Sequence, residues 1–200
     1  MANKKPPVIL DEKCLLNSLS NTFAELYRSF TRIPMSEEES NLCYRLKKNN
    51  QEFGYYISYD VYDIAVTLNK LKKTKVIDLG CGAGILMQIL NTLGFRTKGF
   101  EIEDSLITRA RFITNNIFKK DITEITTEDI KDYEVLYFWE PIPGDALSRK
   151  FVANLEKVML PGQMIIYKPD APHTLDYLED SLVLRRYKRI KSKFIIYVKR

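Results

Sequence analysis

One histidine, one tryptophan and three cysteines in 200 residues leave this sequence poor in the side chains that most often build metal centres and nucleophilic triads. With His173 as the sole histidine, neither a multi-histidine metal cluster nor a triad built on several histidines can form, and His173 is expected to face solvent. Cys14, Cys43 and Cys81 are widely spaced and odd in number, which suits reduced thiols and argues against a disulfide framework or a cysteine metal site. No metal is expected. No apolar run is longer than a strand, far short of the ~20 residues of a membrane span. The opening stretch Met1-Ala2-Asn3-Lys4-Lys5-Pro6-Pro7 lacks the apolar segment of a signal peptide, so a soluble, cytoplasmic protein is expected, with no membrane partner. Internal repeats and low-complexity segments are absent. Glycine is scarce too, eight in the whole chain, yet three of the eight stand at alternate positions between Gly80 and Gly84.

An apolar content of 45% over 200 residues suffices for one full-sized core, and no break in composition argues for two. A net charge of +5 permits a nucleic-acid or acidic partner, but a charge this modest is more often an ordinary solvated surface. Leu16, Leu19, Phe23, Leu26 and Phe30 recur at intervals of three and four and predict a helix within residues 11–30. Pro34 interrupts it, and Ser36 with Glu39 forms a capping-box pattern that starts a second helix through about Leu46. Residues 1–57 are therefore read as a helical extension or cap on a domain spanning 58–200. A third helix is predicted over about 60–72, with Val61, Ile64, Ala65, Leu68 and Leu71 inward.

From Lys75 onward strands and helices alternate as in an α/β domain: strand 75–79, helix 84–93, strand 96–101, helix 104–115 and strand 117–120. A helical turn near Glu128–Lys131 precedes Val135-Leu136-Tyr137-Phe138-Trp139, which is apolar at every position, as in a central strand covered on both faces. Leu147, Phe151, Leu155 and Val158 predict a helix ending at Pro161-Gly162, followed by a strand over 163–167. Two β-rich runs, 182–189 and 193–199, read as an antiparallel hairpin. The expected fold is a mostly parallel, Rossmann-like sheet with a C-terminal antiparallel hairpin and helices on both faces.

The glycine triplet follows the first strand and opens the helix after it, where positive φ and the missing Cβ let a ligand lie against backbone N–H groups. The dinucleotide fingerprint G-x-G-x-x-G fails, because Ile85 holds the place of its third glycine, and NAD is disfavoured. Asp78-Leu79-Gly80-Cys81-Gly82-Ala83-Gly84, an acid followed by G-x-G-x-G, instead resembles the first motif of the class I, seven-strand S-adenosylmethionine (SAM) methyltransferases. The resemblance covers about residues 54–200 and is strongest from Lys75 to Asp121. It implies a methyltransferase with SAM as cofactor and S-adenosylhomocysteine (SAH) as product.

Glu101 ends the second strand roughly 20 residues beyond the loop, where a carboxylate can accept from both hydroxyls of a ribose; Glu103 is its reserve. The resemblance implies that Asp121, after the third strand, accepts from the adenine amino group, with Ile102 and Ile122 against the ring faces. Asp78 either organises the loop backbone or holds the cofactor's ammonium group. Gly80, Cys81, Gly82, Gly84 and Trp139 complete the candidate cofactor set, Cys81 filling a small position in the loop. On the acceptor side, Glu140 follows the fourth strand, but Ile142 separates Pro141 from Pro143 and no aromatic residue follows. That departs from the pattern of enzymes that methylate amino groups of nucleic acids. Glu140 either orients an amine nucleophile or sits on a proline-stiffened loop. Tyr56, within the tyrosine-rich stretch 54–59, is a candidate wall for the acceptor. A protein amine is the first expectation for the acceptor, with RNA and a small molecule close behind. A silent SAM-binding partner subunit is the alternative to an enzyme. Arg185, Arg186, Lys188, Arg189, Lys191 and Lys193 concentrate charge on the hairpin, either as a phosphate contact in 185–193 or as protection of an edge strand.

Overall fold

The computed structural model describes residues 59–112, 114–139, 142, 144–169, 172–190 and 194–200, with Tyr59, Asp60, Tyr62, Pro172 and His173 described by their backbone alone. The two helices expected in the 1–57 extension, the candidates Tyr56 and Glu140, and the side chain of His173 therefore lie outside the described residues.

Helix α1 (Tyr59–Lys70) buries Val61, Ile64, Ala65 and Leu68 along one face. It ends before Lys72, which takes φ 54°, and the chain then enters β1 (Lys75–Leu79). Next come α2 (Ile85–Thr92), β2 (Arg96–Glu101), α3 (Asp104–Ala110) and β3 (Ile117–Lys119). A 3₁₀ turn (Ile122–Glu124), α4 (Thr127–Ile130), β4 (Val135–Trp139), α5 (Asp145–Val158) and β5 (Met164–Lys168) follow. The chain closes with α6 (Pro172–Glu179), β6 (Leu184–Ile190) and β7 (Phe194–Lys199).

The strands form one seven-stranded sheet in the order β3-β2-β1-β4-β5-β7-β6. β1 to β5 pair in parallel, and β7 pairs antiparallel with both β5 and β6, as the apolar runs of the sequence imply. Alternation along each strand divides the core in two. Val135 and Tyr137 of β4 pack with Val76, Ile64, Leu68 and Ile89 under α1 and α2. Leu136 and Phe138 point the other way, into a larger core with Leu79, Phe100, Phe151 and Tyr167 under α5 and α6. There the Phe138 and Phe151 rings meet edge to face, 5.1 Å between centroids. The amide of Gln163 ties this layer together: Nε2 donates to the carbonyls of Ile130 (2.9 Å) and Tyr133 (2.7 Å), and Oε1 accepts from the Leu160 N–H (2.7 Å).

Three elements differ from expectation. The helix expected over 104–115 ends at Ala110, because Phe112 N–H donates to the Arg109 carbonyl in a tightened last turn and Thr114 then packs against the glycine loop. Helix α6 follows β5 where no helix was expected; its signal was Pro172 at the first helical position, ahead of Leu175 and Leu178 on one face. Asp121 caps a 3₁₀ turn that no sequence pattern announces, the turn-capping role that is the alternative to adenine binding for this residue.

Candidate active site

In an open parallel sheet ligands bind beyond the carboxyl ends of the strands where the strand order reverses. Here β2 and β3 lie on one side of β1 and β4 and β5 on the other, so the crevice opens beyond Leu79 and Trp139. The glycine loop sits at this point. Gly80, Gly82 and Gly84 have φ of 80°, 53° and 73°, a left-handed conformation at alternate residues that L side chains resist. The N–H groups of Gly80 and Cys81 both donate to the Phe100 carbonyl (2.9 and 3.0 Å), pinning the loop to the end of β2. Two of the glycines differ in their surroundings. A Cβ on Gly84 would stand 2.6 Å from Ile117 Cδ1, whereas one on Gly82 would meet nothing within 4 Å. The loop is thus packed at Gly84 and open at Gly82.

Glu101 is buried, at 7% exposure, and closes the loop from the β2 side. Its Oε2 accepts from Gly82 N–H (2.9 Å), and its Oε1 accepts from the N–H groups of Ile102 (2.7 Å) and Glu103 (3.1 Å). A carboxylate offers about four lone-pair sites, so Oε2 keeps capacity for a ligand hydroxyl. Asp78 lies one strand away, in register with Gly99 of β2 and Tyr137 of β4, and is 5% exposed. No hydrogen bond reaches its carboxyl group from the described residues. Burial, then the neighbouring Glu101 carboxylate, pushes its pKa up to about 8. A buried carboxyl group with unused hydrogen-bonding capacity suits a cationic ligand group. The Cys81 thiol is also pushed well above its ordinary value, by burial first and then by Asp78 and Glu101, which disfavours the thiolate. Room for it comes from Gly99, where a Cβ would stand 2.6 Å from Cys81 Sγ and press against Met87 Sδ.

The other candidates are spread along the strand ends. Ile102 is exposed beside Glu101, whereas Ile122 is buried with Leu79, Phe100 and Phe138. Asp121 Oδ1 accepts from Thr123 N–H (2.8 Å) as the cap of the 3₁₀ turn. Trp139, half-buried at the end of β4, carries the Lys168 ammonium over its indole, 3.4 Å from the ring centroid. Such a pair contributes about 0.5–2 kcal/mol. Lys168 and Gly99 escaped the sequence reading; their neighbours come from adjacent strands, and only the pairing register brings them together. A surface hollow of about 300 Å³, lined among others by Lys98, Phe118, Asp129 and Tyr133, lies on the opposite face of the sheet and shares no residue with this crevice. Among the described residues, no group of His, Cys, Asp and Glu could hold a metal ion, and no helix is long and apolar enough to cross a membrane.

This sheet order, with β7 inserted antiparallel between β5 and β6, and an acid-plus-glycine loop at the switch point define the fold of the class I SAM-dependent methyltransferases, the family that the chain resembles. No protein-family model matches the chain. Among curated proteins it is similar to the ubiquinone biosynthesis O-methyltransferase of Rickettsia prowazekii (strain Madrid E), 23% identical over 141 residues, which cover 65% of this chain and 56% of that protein. The chain therefore spans about half the length of the curated relatives that it matches. Among solved structures, the PH0226 protein from Pyrococcus horikoshii OT3 superposes with a TM-score of 0.58 at 16% identity, covering 74% of this chain and 92% of that one. The magnesium protoporphyrin IX methyltransferase of Synechocystis PCC 6803, solved with bound SAM, gives a TM-score of 0.54 at 13% identity, covering 96% of this chain and 98% of that one.

Proposed function

We propose that the protein is a SAM-dependent methyltransferase acting on a hydroxyl group of a small molecule. The observation that carries this reading is the open cradle at the switch point: Gly82 with free space on its Cβ side, its N–H on the Glu101 carboxylate, and the buried Asp78 alongside. In this reading Glu101 Oε2 holds the ribose and Asp78 holds the ammonium group. Ile102 and Asp121 flank the adenine, while Ile122, expected against the ring, is packed in the core behind them. The cofactor, when bound, supplies a methyl group on a sulfonium. The chain's own task is then to align the acceptor oxygen behind that methyl and to shield the reacting atoms, which proximity and desolvation accomplish; the hydroxyl proton leaves to solvent as the oxygen takes the methyl. Glu140 and Tyr56 remain the proposed acceptor-side residues.

The sequence reading put a protein amine first. The similarity to ubiquinone biosynthesis O-methyltransferases of Rickettsia favours a small-molecule hydroxyl instead. Calorimetry with SAM, SAH and NAD tests the cofactor: saturable SAM and SAH binding is expected, and NAD binding without SAM binding overturns the reading. Incubation with methyl-labelled SAM and fractionated cell extract tests the acceptor. Label in the small-molecule fraction is expected. Label that disappears only with protease or only with ribonuclease moves the acceptor to protein or RNA.

A further inference from the structure

The hollow of about 300 Å³ away from the crevice has a polarity of its own. Arg96 and Lys98 stand four and two residues before Phe100 on β2, and Phe118 of β3 is in register with Phe100. Alternation therefore projects Arg96, Lys98 and Phe118 from one face of the sheet, where they form one wall. The other wall comes from α4 and the turn after it, which bring Glu128, Asp129, Asp132 and Tyr133. Cations thus face acids across a space the size of a small-ligand site. Two of the acids are committed. Asp129 Oδ2 accepts from Lys120 Nζ (2.5 Å) and from the N–H and hydroxyl of Thr126 (2.7 and 2.8 Å), and Glu128 pairs with Lys131. Asp132 is exposed and joins no hydrogen bond or ion pair among the described residues. On the opposite wall, Lys98 Nζ donates once, to the Asp129 carbonyl (3.2 Å), and lies 4.7 and 5.3 Å from the ring centroids of Phe100 and Phe118. Burial lowers its pKa, with Asp129 and Asp132 opposing the shift and Lys120 adding to it, so this ammonium is short of an anion. The Arg96 guanidinium, 5.7 Å from the Tyr133 ring centroid, adds a fork of N–H donors, and the Phe118 ring is half exposed between them.

We propose that this hollow binds a free aromatic α-amino acid, its carboxylate on Arg96 and Lys98, its ammonium on Asp132 and its ring against Phe118. Each wall matches one end of a zwitterion. A nucleotide would bring its phosphate charge to a hollow that already holds the Asp132 carboxylate, and a simple cation would meet Arg96 and Lys98. The site shares no residue with the crevice and stands independently of the methyl-transfer reading.

Ligand-observed NMR titrations of the full chain, with and without saturating SAH, compare four probes. They are L-phenylalanine, 3-phenylpropionate (no ammonium), 2-phenylethylamine (no carboxylate) and 5′-AMP. Phenylalanine is expected to bind with a Kd of about 1 mM or below, equally with SAH present, and each truncated analogue about tenfold more weakly. Asp132→Asn should bring phenylalanine down to the level of 3-phenylpropionate without weakening 3-phenylpropionate itself. Arg96→Gln should weaken both carboxylates about tenfold and leave 2-phenylethylamine unchanged. Both side chains are exposed, and thermal melts confirm that the variants fold. No binding of phenylalanine at about 10 mM, truncated analogues that bind as tightly, or 5′-AMP binding more tightly overturns the proposal. So does wild-type affinity in Asp132→Asn, and so does displacement of phenylalanine by SAH, which would place it in the crevice.

Discussion

Replacing Asp78 by Asn should make the ligand-free protein less sensitive to pH, and the structure sets how much. The carboxyl group is buried, accepts no hydrogen bond from the described residues and ionises only near pH 8, against an ordinary value of 3.8. Below pH 3.8 it is protonated in both the folded and the unfolded chain and contributes no pH dependence. Between 3.8 and 8 the unfolded chain has released this proton and the folded chain has kept it, so stability falls as pH rises, by about 1.4 kcal/mol per pH unit. Above 8 the loss levels off. At pH 7 the deficit from this one group is on the order of 4 kcal/mol. The Asn amide carries no such proton, so denaturant titrations of wild type and Asp78→Asn between pH 5 and pH 8 should diverge steadily, the variant gaining on the wild type. Glu101→Gln should shorten the divergence from its upper end, because the Glu101 charge is the second cause of the elevated value. Parallel stability curves for wild type and Asp78→Asn would refute the buried, uncompensated carboxyl. The same proton should appear on binding. A cationic ligand beside Asp78 lowers its pKa, so SAM binding at pH 7 should release a proton, seen as a calorimetric heat that depends on the buffer and vanishes in Asp78→Asn.

Glu101→Ala should weaken SAM binding by roughly ten- to a hundredfold, the equivalent of about 1.5–3 kcal/mol for a charged acceptor, while Glu103→Ala on the exposed side leaves it near wild type; equal affinities in calorimetry would remove Glu101 from the ribose. Gly99→Ala forces a methyl against Met87 and Cys81, so urea denaturation should show a loss of about 1–3 kcal/mol and calorimetry a weaker cofactor as the loop shifts. Unchanged stability would mean that the loop is not seated on β2 as described. Gln163→Leu strands the Tyr133 carbonyl and the Leu160 N–H, while the Ile130 carbonyl keeps the Tyr133 N–H, and should cost about 2–4 kcal/mol without altering SAM affinity. A loss of affinity with no loss of stability would contradict the separation of this clamp from the crevice.

The parts of this fold that sequence pattern revealed are those in which local chemistry decides. β1, β2 and β4 lie on the residues expected, because each is a short apolar or alternating run ended by glycine, acid or charge. Glu101 was placed by its distance from the loop and by the strand it ends, and the structure brings it to Gly82. Position along the chain could not show that Lys168 meets Trp139, since that contact depends on β5 lying beside β4 in one particular register. Nor could it show that Gly99 makes room for Cys81 across a strand boundary. Helix α6 was missed because two leucines among polar residues give a weak periodic signal, and its burial comes from packing on α5. Asp121 combines a capping role with its expected place after β3, two demands that a single letter does not distinguish.

The position of β7 bears on how the chain is made. Synthesis produces β6 before β7, yet β7 lies between β5 and β6 in the finished sheet. While the ribosome is still adding residues 184–190, β5 therefore has one open edge, and its apolar residues Ile165, Ile166 and Tyr167 have no strand beside them on that side. β6, with its run of exposed cations, cannot close that edge in its final place without leaving a gap. Closure waits for Phe194–Lys199, so the nascent chain carries an unpaired strand edge until that segment has emerged, and truncation before it would leave an aggregation-prone remnant.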